Sequence, residues 1–258
     1  PGPSRAGRAR GTARQVRAAG CAATGLLAVS QGLAADMAAL GLPADRITLH
    51  RTGLDRTRFR PLDRQASRAA LGLPPTGALL ASVGALIPRK GQRFVIEALS
   101  VLPGAALVIA GAGPDEAALR ALAAELGLAE RVHFLGAVPH AELPTVLSAA
   151  DVFVLPSTNE GLGNAMAEAA MAELPVIAHS HAASRFVLGD EKFTTDLVPP
   201  GALTAKLASI KENPPSQEEL KKLSSAVHNL FSVEALLPRF CDMVQSLKGA
   251  PPANGQHR

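Results

Sequence analysis

Short apolar runs and longer helical segments succeed one another along most of the chain, which predicts an α/β protein. The short runs are typical of strands buried on both faces of a parallel sheet, and they lie at Gly25–Val29, Arg46–His50, Ala78–Val83, Leu107–Ala110, Val132–Leu135, Val152–Leu155 and Val176–Ala178. Helices are predicted at 12–19, 33–40, 63–72, 93–99, 115–126, 141–150, 165–172, 202–210, 218–230 and 233–247. This order favours a Rossmann-like parallel sheet with helices on both faces.

One stretch, Asp151–Ala178, reads as a complete strand–helix–strand unit. The predicted strand Val152–Leu155 leads into a polar loop that carries Glu160. The next four residues, Gly161–Asn164, contain two glycines that let backbone N–H groups approach a ligand closely. Good helix formers follow from Ala165 onward. The pattern therefore predicts a helix N-terminus at the ligand-binding edge of a parallel sheet.

Two carboxylates, Glu160 and Glu168, frame this glycine turn. On one continuous helix they would lie about 12 Å apart along the axis and about 80° apart around it. The turn removes that restriction, so both side chains can point into one crevice. The alternative is a glutamate on a loop and a second, solvated glutamate on a helix.

Composition narrows the range of functions. The chain has 258 residues, of which 47% are hydrophobic, so it can form one large core or two modest ones. Its formal net charge is +4, and five arginines lie within residues 5–17. That basic arm makes nucleic-acid binding an alternative, but the chain has no Trp or Tyr, which argues against a stacking platform for bases.

The cysteines and the apolar runs indicate the cellular compartment of the protein. Cys21 and Cys241 are far apart in sequence, which predicts free thiols in a reducing compartment. No uninterrupted apolar stretch is long enough for a transmembrane helix. A signal peptide formed by basic residues 5–17 and the apolar residues 18–30 is an alternative, but Gly20, Thr24 and Gly25 interrupt it, so a helix that leads into a buried strand is favoured.

Several ordered motifs between residues 25 and 247 resemble the retaining GT-B glycosyltransferases of family 4, the glycosyl transferases group 1. These motifs are the Glu160–Glu168 pair with seven residues between, Gly53-Leu54-Asp55, Phe59-Arg60-Pro61, Gly84 with Lys90-Gly91, and Leu197-Val198-Pro199-Pro200-Gly201. The resemblance implies the C-terminal half of a GT-B fold. It assigns residues 1–62 to a remnant of the N-terminal acceptor domain and a linker, 63–230 to the nucleotide-sugar domain, 231–248 to a crossover helix and 249–258 to a disordered tail.

The resemblance also implies an activity and a set of site residues. The activity is transfer of a sugar from a nucleoside-diphosphate sugar to an acceptor hydroxyl with retention of configuration. The implied catalytic residues are Glu160, Lys90 and Arg89. The implied donor-binding residues are Glu168, Gly161, Leu162, Gly163, Asn164, Ala165, Val138 and Gly84.

Each role follows from the family pattern. A lysine and an arginine of the family grip the diphosphate; Lys90, the only lysine in the first 190 residues, matches the lysine. Ala85 stands where the family has its arginine, and Arg89 is the candidate replacement. By the same pattern, the first glutamate orients sugar hydroxyls, the second binds the ribose, and the backbone at Val138 meets the nucleobase.

The expected partners follow from this activity. They are a nucleotide-sugar donor and an acceptor glycan, lipid or small molecule, but no nucleic acid. No Asp-x-Asp occurs, so we expect no metal cofactor, and the cationic side chains and the helix N-terminus would meet the diphosphate charge. The expected location is cytoplasmic, alternatively at the inner face of the membrane with peripheral contact through the N-terminal domain.

Two further expectations concern the histidines and the extent of the chain. His179 and His181 have no cysteine or acidic ligand near in sequence, so they are predicted as loop residues near the donor and not as a metal site, and His140 is predicted as a rim or turn residue. Because most of a first domain is missing from the pattern, we expect the chain alone to bind a nucleotide weakly and to transfer little. The alternative function is a nucleotide-binding module without activity of its own.

Overall fold

A computed structural model describes residues 5–55, 57–189 and 192–248. The strands are β1 Leu26–Ala28, β2 Ile47–Leu49, β3 Leu79–Val83, β4 Ala106–Ala110, β5 Val132–Gly136, β6 Val152–Leu155, β7 Val176–His179 and β8 Thr194–Thr195. The α-helices are α1 Arg5–Ala22, α2 Gln31–Ala39, α3 Arg64–Ala70, α4 Gln92–Leu99, α5 Glu116–Glu125, α6 Leu143–Ala149, α7 Asn164–Met171, α8 Ala182–Leu188, α9 Ala202–Glu212, α10 Gln217–Phe231 and α11 Val233–Lys248.

The described residues form two compact units. The first contains the residues up to Gly53 and those from Val233 onward, and the second contains Leu54–Ser232. Among the described helices, none combines the length and the apolar composition that crossing a bilayer requires.

The first unit holds a two-stranded parallel sheet, in which Leu26 of β1 pairs with Ile47 of β2. The sequence predicted a buried strand here, but β1 is only three residues long and only Ala28 is buried, while Leu27 is exposed. The helix that precedes it begins at Arg5, earlier than the predicted start at Thr12. Cys21 and Cys241 are both free thiols.

The second unit contains a six-stranded parallel sheet in the order β5-β4-β3-β6-β7-β8. From β3 the chain builds outward through β4 and β5, and it then returns to add β6, β7 and β8 on the other side. The strand order therefore reverses between β3 and β6. In doubly wound sheets, ligands bind outside the carboxyl ends of the strands at such a switch point.

Helices cover both faces of this sheet. Side chains of α4, α5 and α9 share one apolar cluster with alternate residues of the strands, among them Leu107, Ile109 and Val154. Crossovers between parallel strands are right-handed, so the change of direction after β5 brings α7 and α8 to the opposite face. There α7 packs on β6 and β7 and against α10. The predicted α/β class, with a parallel sheet flanked by helices, is confirmed.

The region after β7 differs from the prediction. His179 ends β7, one residue beyond the predicted strand, and His181 lies in the short connection to α8 as its N-cap. The predicted loop is therefore confined to residues 180 and 181. A histidine is not among the residues that usually signal an N-cap. The helix that it caps has only seven residues, too few for a clear hydrophobic period.

The two compact units divide after Gly53 and after Ser232, and the predicted domain bounds, after residues 62 and 230, stay a prediction. The Leu54 N–H donates to the Phe231 carbonyl oxygen at 2.7 Å, and Phe59 is fully buried, so residues around them belong to the second unit. The assignment of these parts to acceptor and donor domains stays a prediction. The predicted tail, 249–258, lies outside the described residues.

Candidate active site

Two loops meet at the carboxyl ends of β3 and β6, at the switch point of the sheet. The first runs over residues 84–91 and the second over residues 156–163. The Thr158 N–H donates to the Arg89 carbonyl oxygen at 3.0 Å, and the Ser157 hydroxyl donates to the same oxygen at 3.1 Å. These hydrogen bonds hold residues that lie about 70 positions apart in sequence side by side.

Close backbone contacts at glycines keep this edge of the sheet compact. Gly91 has φ +70°, and a Cβ there would lie 2.8 Å from the carbonyl oxygen of Pro156. Gly111 follows β4 with φ +155°, and a Cβ there would overlap the carbonyl oxygen of Gly84. Only glycine allows both approaches.

Lys90 and Glu160 form the central contact of the site. The Lys90 Nζ lies 2.5 Å from the Glu160 Oε1, and the two side chains are 16% and 7% exposed. The lysine stem passes over Gly84, where a Cβ would lie 3.6 Å from the Lys90 Cε. A carboxylate this deeply buried needs a paired charge, because an unpaired one would be costly to desolvate.

Arg89 joins the same group through a different contact. Its Nη1 donates to the Asn159 carbonyl oxygen at 2.8 Å and lies 3.9 Å from the Glu160 Oε2. The arginine side chain is about half exposed. The predicted replacement for the arginine missing at Ala85 therefore lies beside Glu160 with part of its guanidinium free to the solvent.

Glu168 makes its contact elsewhere. Its side chain is 5% exposed on α7, and its Oε1 lies 2.8 Å from the His140 Nε2. Burial raises the pKa of Glu168, and the hydrogen bond from His140 opposes that rise. The two glutamates thus have separate partners within the described residues.

His140 is held from two sides. It lies in a turn, as predicted, and its ring packs edge-on against Phe59 with centroids 5.2 Å apart. The Arg58 Nη1 lies 3.4 Å from the His140 Nδ1. Arginine can only donate, so this contact places the ring proton on Nε2, facing the Glu168 carboxylate. Nothing in the sequence indicated this pairing except that His140 follows β5, a strand whose carboxyl end lies at the same edge of the sheet.

The glycine turn leads into α7 as expected, although the helix starts at Asn164 and not at Ala165. Gly163 has φ +77° and precedes the first turn, in which the Met166 N–H donates to the Gly163 carbonyl oxygen at 3.0 Å. Leu162 is buried and Gly161 is exposed. The Asn164 Oδ1 is buried and has no hydrogen-bond partner among the described residues.

The remaining predicted residue, Val138, lies half-buried in the loop that follows β5, two positions before His140. The structure therefore brings Lys90, Arg89, Glu160 and Gly84 into direct contact. It puts Val138 and Glu168 beside His140, on the side of β5 and α7.

Two histidines at the end of β7, which the sequence predicted near the donor, add polar groups at this edge of the sheet. The Nδ1 atoms of His179 and His181 accept backbone N–H groups at 3.1 Å, from Leu197 and Ser184 respectively. Burial lowers the pKa of His181, and the Glu160 carboxylate opposes that shift. Among the described residues, no group of three or more His, Cys, Asp or Glu side chains is arranged to hold a metal ion.

Comparison with known proteins adds an independent finding. Residues 63–226 match the protein family described as Glycosyl transferases group 1. The D-inositol 3-phosphate glycosyltransferase of Mycobacterium tuberculosis (strain ATCC 25618 / H37Rv) is 40% identical over 144 residues, which cover 54% of this chain and 30% of that protein.

Solved structures share the fold over more of the chain. Sucrose-phosphate synthase from Thermosynechococcus elongatus matches with a TM-score of 0.83 and 25% identity, over 97% of this chain and 65% of its own. The Anabaena protein HepE, in complex with UDP and glucose, matches with a TM-score of 0.84 and 21% identity, over 92% of this chain and 67% of its own. The chain thus spans under a third of the curated relative and about two thirds of these structures.

Proposed function

This chain belongs to the glycosyl transferases group 1 family, and we propose that it binds the nucleoside-diphosphate sugar from which a retaining, family-4 enzyme transfers the sugar to an acceptor hydroxyl. The observation that carries the proposal is the Lys90–Glu160 pair at the switch point of the sheet. It joins an ammonium and a carboxylate, beside the loop that leads into the N-terminus of α7.

The diphosphate is the part of the donor that this arrangement suits best. An ammonium has three N–H donors, and Glu160 takes one, which leaves two for phosphate oxygens. The half-exposed Arg89 guanidinium and the first turn of α7 add positive potential on the same side. During transfer the bond between the anomeric carbon and the diphosphate oxygen breaks, and the acceptor oxygen bonds to that carbon. The acceptor's proton leaves with the diphosphate.

The other residues take the roles of the family pattern. Glu160 orients sugar hydroxyls, and Glu168 accepts hydrogen bonds from the ribose, while its own orientation is set by His140. The backbone at Val138 faces the base, and the turn of Gly161, Leu162, Gly163, Asn164 and Ala165 lies against the phosphates. Ionised carboxylates suit the hydroxyl contacts because charge-assisted hydrogen bonds are the strong ones.

Calorimetric titration of the full chain with UDP, GDP and ADP, and with UDP-glucose, GDP-mannose and ADP-glucose, tests the proposal. UDP is the first probe, since HepE was solved with it. We expect at least one nucleotide to bind, and Lys90→Met to weaken that binding about tenfold to hundredfold, as lost charge-assisted hydrogen bonds would.

Lys222→Met is the matched control, because Lys222 also pairs with a glutamate, at 2.8 Å from Glu218, but with both side chains exposed on the surface of α10. It should bind nucleotides like the parent. A parent chain that binds none of the six probes, or a Lys90→Met chain that binds as well as Lys222→Met, would refute the proposal.

A second candidate function is a nucleotide-binding module without transfer activity of its own. Ala85 favours it, because the arginine expected at that position is missing. A radiolabelled-donor assay separates the two candidates. Release of sugar to water or to an added glycan, lipid or small-molecule acceptor supports the enzyme, and tight binding without any turnover supports the module.

The location, the acceptor and the absence of a metal are proposed from the same family pattern. We propose a cytoplasmic location, with the acceptor supplied as a glycan, a lipid or a small molecule. No metal cofactor is needed in this scheme, because cationic side chains meet the diphosphate charge. Chelation with EDTA should leave nucleotide affinity unchanged, and a loss of binding on chelation would argue for a metal.

A further inference from the structure

His181 has a fixed tautomer because it caps a helix. The backbone N–H of Ser184 donates to the ring Nδ1 of His181 at 3.1 Å, and the backbone N–H of His181 donates to the Ser184 hydroxyl at 3.0 Å. Together these two hydrogen bonds form a capping box on α8. A ring nitrogen that accepts a hydrogen bond carries no proton. The proton of the neutral ring is therefore on Nε2, which can only donate.

This Nε2–H group is buried without a partner. Its nitrogen is buried and has no hydrogen-bond partner among the described residues. Buried N–H groups are almost always paired in native proteins, because an unpaired one keeps the full cost of its desolvation. Solvent does not reach the buried atom, so its partner should come from a neighbouring side chain.

Glu160 is the neighbour that can supply the acceptor. Strands β6 and β7 lie side by side, with Leu155 opposite Ala178, so Glu160 and His181 follow the carboxyl ends of adjacent strands. The charge of Glu160 also acts on His181. Lys90 occupies Oε1, whereas the nearest cation to Oε2 is the Arg89 Nη1 at 3.9 Å, beyond hydrogen-bond distance. A buried N–H donor without a partner and a carboxylate oxygen with no cation within hydrogen-bond distance thus follow the ends of two adjacent strands.

Binding of the nucleotide sugar would change the hydrogen bonds that Glu160 accepts. Under the proposed function, the Lys90 ammonium is drawn toward a diphosphate, and Glu160 then loses part of its countercharge in a site where it is 7% exposed. We infer that His181 is a positioning residue for Glu160, whose carboxylate accepts the Nε2–H hydrogen bond when Lys90 turns to the bound diphosphate. The inference rests on the proposed function.

A neutral N–H group suits the hydrogen bond to Glu160 better than a second cation would. It satisfies the carboxylate without competing with Lys90 and Arg89 for the negative charge of the ligand. It also keeps Nδ1 free to accept the cap hydrogen bond, which a protonated ring would lose.

The test is a double-mutant cycle on the full chain, with whichever of UDP, GDP and ADP binds most tightly. His181→Asn removes the Nε2–H but keeps a good N-cap, since asparagine caps helices well. We expect it to weaken binding about tenfold, as the loss of one hydrogen bond to a charged group would. In a Glu160→Gln background, which removes the buried charge, the same change should alter binding less than twofold.

Gly189→Ala is the control for helix stability. Gly189 ends α8 with φ +66° and has open space around it, so the alanine destabilises the same helix without touching His181. This variant should melt at a lower temperature and bind like the parent. If it weakens nucleotide binding as much as His181→Asn does, the effect comes from the helix and the inference fails.

A second measurement detects the hydrogen bond itself. In a chain with ¹⁵N-labelled histidines, the His181 Nε2–H resonance, assigned by its loss in His181→Asn, should move downfield when the nucleotide is added. An unmoved resonance, or equal effects of His181→Asn in both backgrounds, overturns the inference and leaves the proposed function intact. A parent chain that binds none of the three nucleotides overturns both.

Discussion

At the scale of single residues, the site depends on one buried ion pair. Lys90 and Glu160 are both largely hidden from solvent, and they come from loops that the chain order separates widely. Removing one partner of such a pair leaves the other charge buried, which usually costs more than removing both.

We therefore expect Lys90→Met to lower the free energy of unfolding by about 2–3 kcal/mol, with the half-exposed Arg89 limiting the loss. The double change Lys90→Met with Glu160→Gln should recover most of that stability, because no buried charge remains. It should not recover nucleotide binding. Urea denaturation of the two variants and the parent measures the first effect, and calorimetry the second. Equal stability losses in the single and the double variant would contradict this account.

The second residue-scale prediction concerns the pKa of Glu168. Burial raises it above 4.5, so the folded chain holds this proton more tightly than the unfolded chain does. The contribution to stability is therefore full at low pH and is lost as the pH rises from 4.5 through the folded pKa. Ribose binding in the proposed scheme needs the ionised form.

His140→Ala removes the hydrogen bond that holds this pKa down. We expect the acid limit of nucleotide-sugar binding to move to higher pH in this variant. His140→Gln, which keeps a donor, should shift it less. Titrations with UDP-glucose between pH 4.5 and pH 8 measure the shift, since the phosphates of a nucleotide sugar do not ionise in that range. An acid limit that does not move in His140→Ala would contradict the role of His140.

At the scale of elements, α7 carries an unusual residue at its end. The Leu174 N–H donates to the Ala169 carbonyl and the Glu173 N–H to the Ala170 carbonyl, the two hydrogen bonds of a Schellman motif. Glu173 has φ +56°, and it is the only non-glycine residue with positive φ among those described. Glycine is the usual residue at this position of the motif.

We expect Glu173→Gly to raise the free energy of unfolding by about 1 kcal/mol, because it relieves the left-handed strain. The contact of Glu173 with Gln217 lies on the surface, so its loss should cost little. Glu173→Ala is the control, since it loses the same contact and keeps the strain. In thermal melts, Glu173→Gly should have a higher melting temperature than the parent, and Glu173→Ala the same or a lower one. The reverse order would refute the prediction.

The elements also show what local sequence can and cannot predict. Strands β3 to β7 and helix α7 were predictable because short apolar runs and good helix formers mark them. Helix α8 and strand β8 were not, since a histidine cap, seven helical residues and two strand residues give no periodic signal. The pairing of Glu168 with His140 was also hidden, because it joins residues 28 positions apart and depends on how the loop after β5 folds.

At the scale of the whole molecule, the order of strands in the second unit decides which residues meet. The pairing of β3 with β6 brings Lys90 to Glu160, although nothing in the sequence of either strand indicates that the two strands pair. The motif that frames the glycine turn predicted a common crevice for the two glutamates, and the folded sheet shows that Lys90 contacts the first of them. The first unit, with its own small sheet, contributes none of the side chains that were assigned to the site.

The contact between the two site loops has a practical meaning for protein engineering. Three hydrogen bonds, from Ser157 and Thr158, converge on the Arg89 carbonyl oxygen and none of them involves its guanidinium. The backbone at position 89 is thus anchored independently of its side chain. Position 89 is where the charge that faces the ligand can be redesigned, from arginine to lysine or to a neutral residue, while the scaffold stays in place.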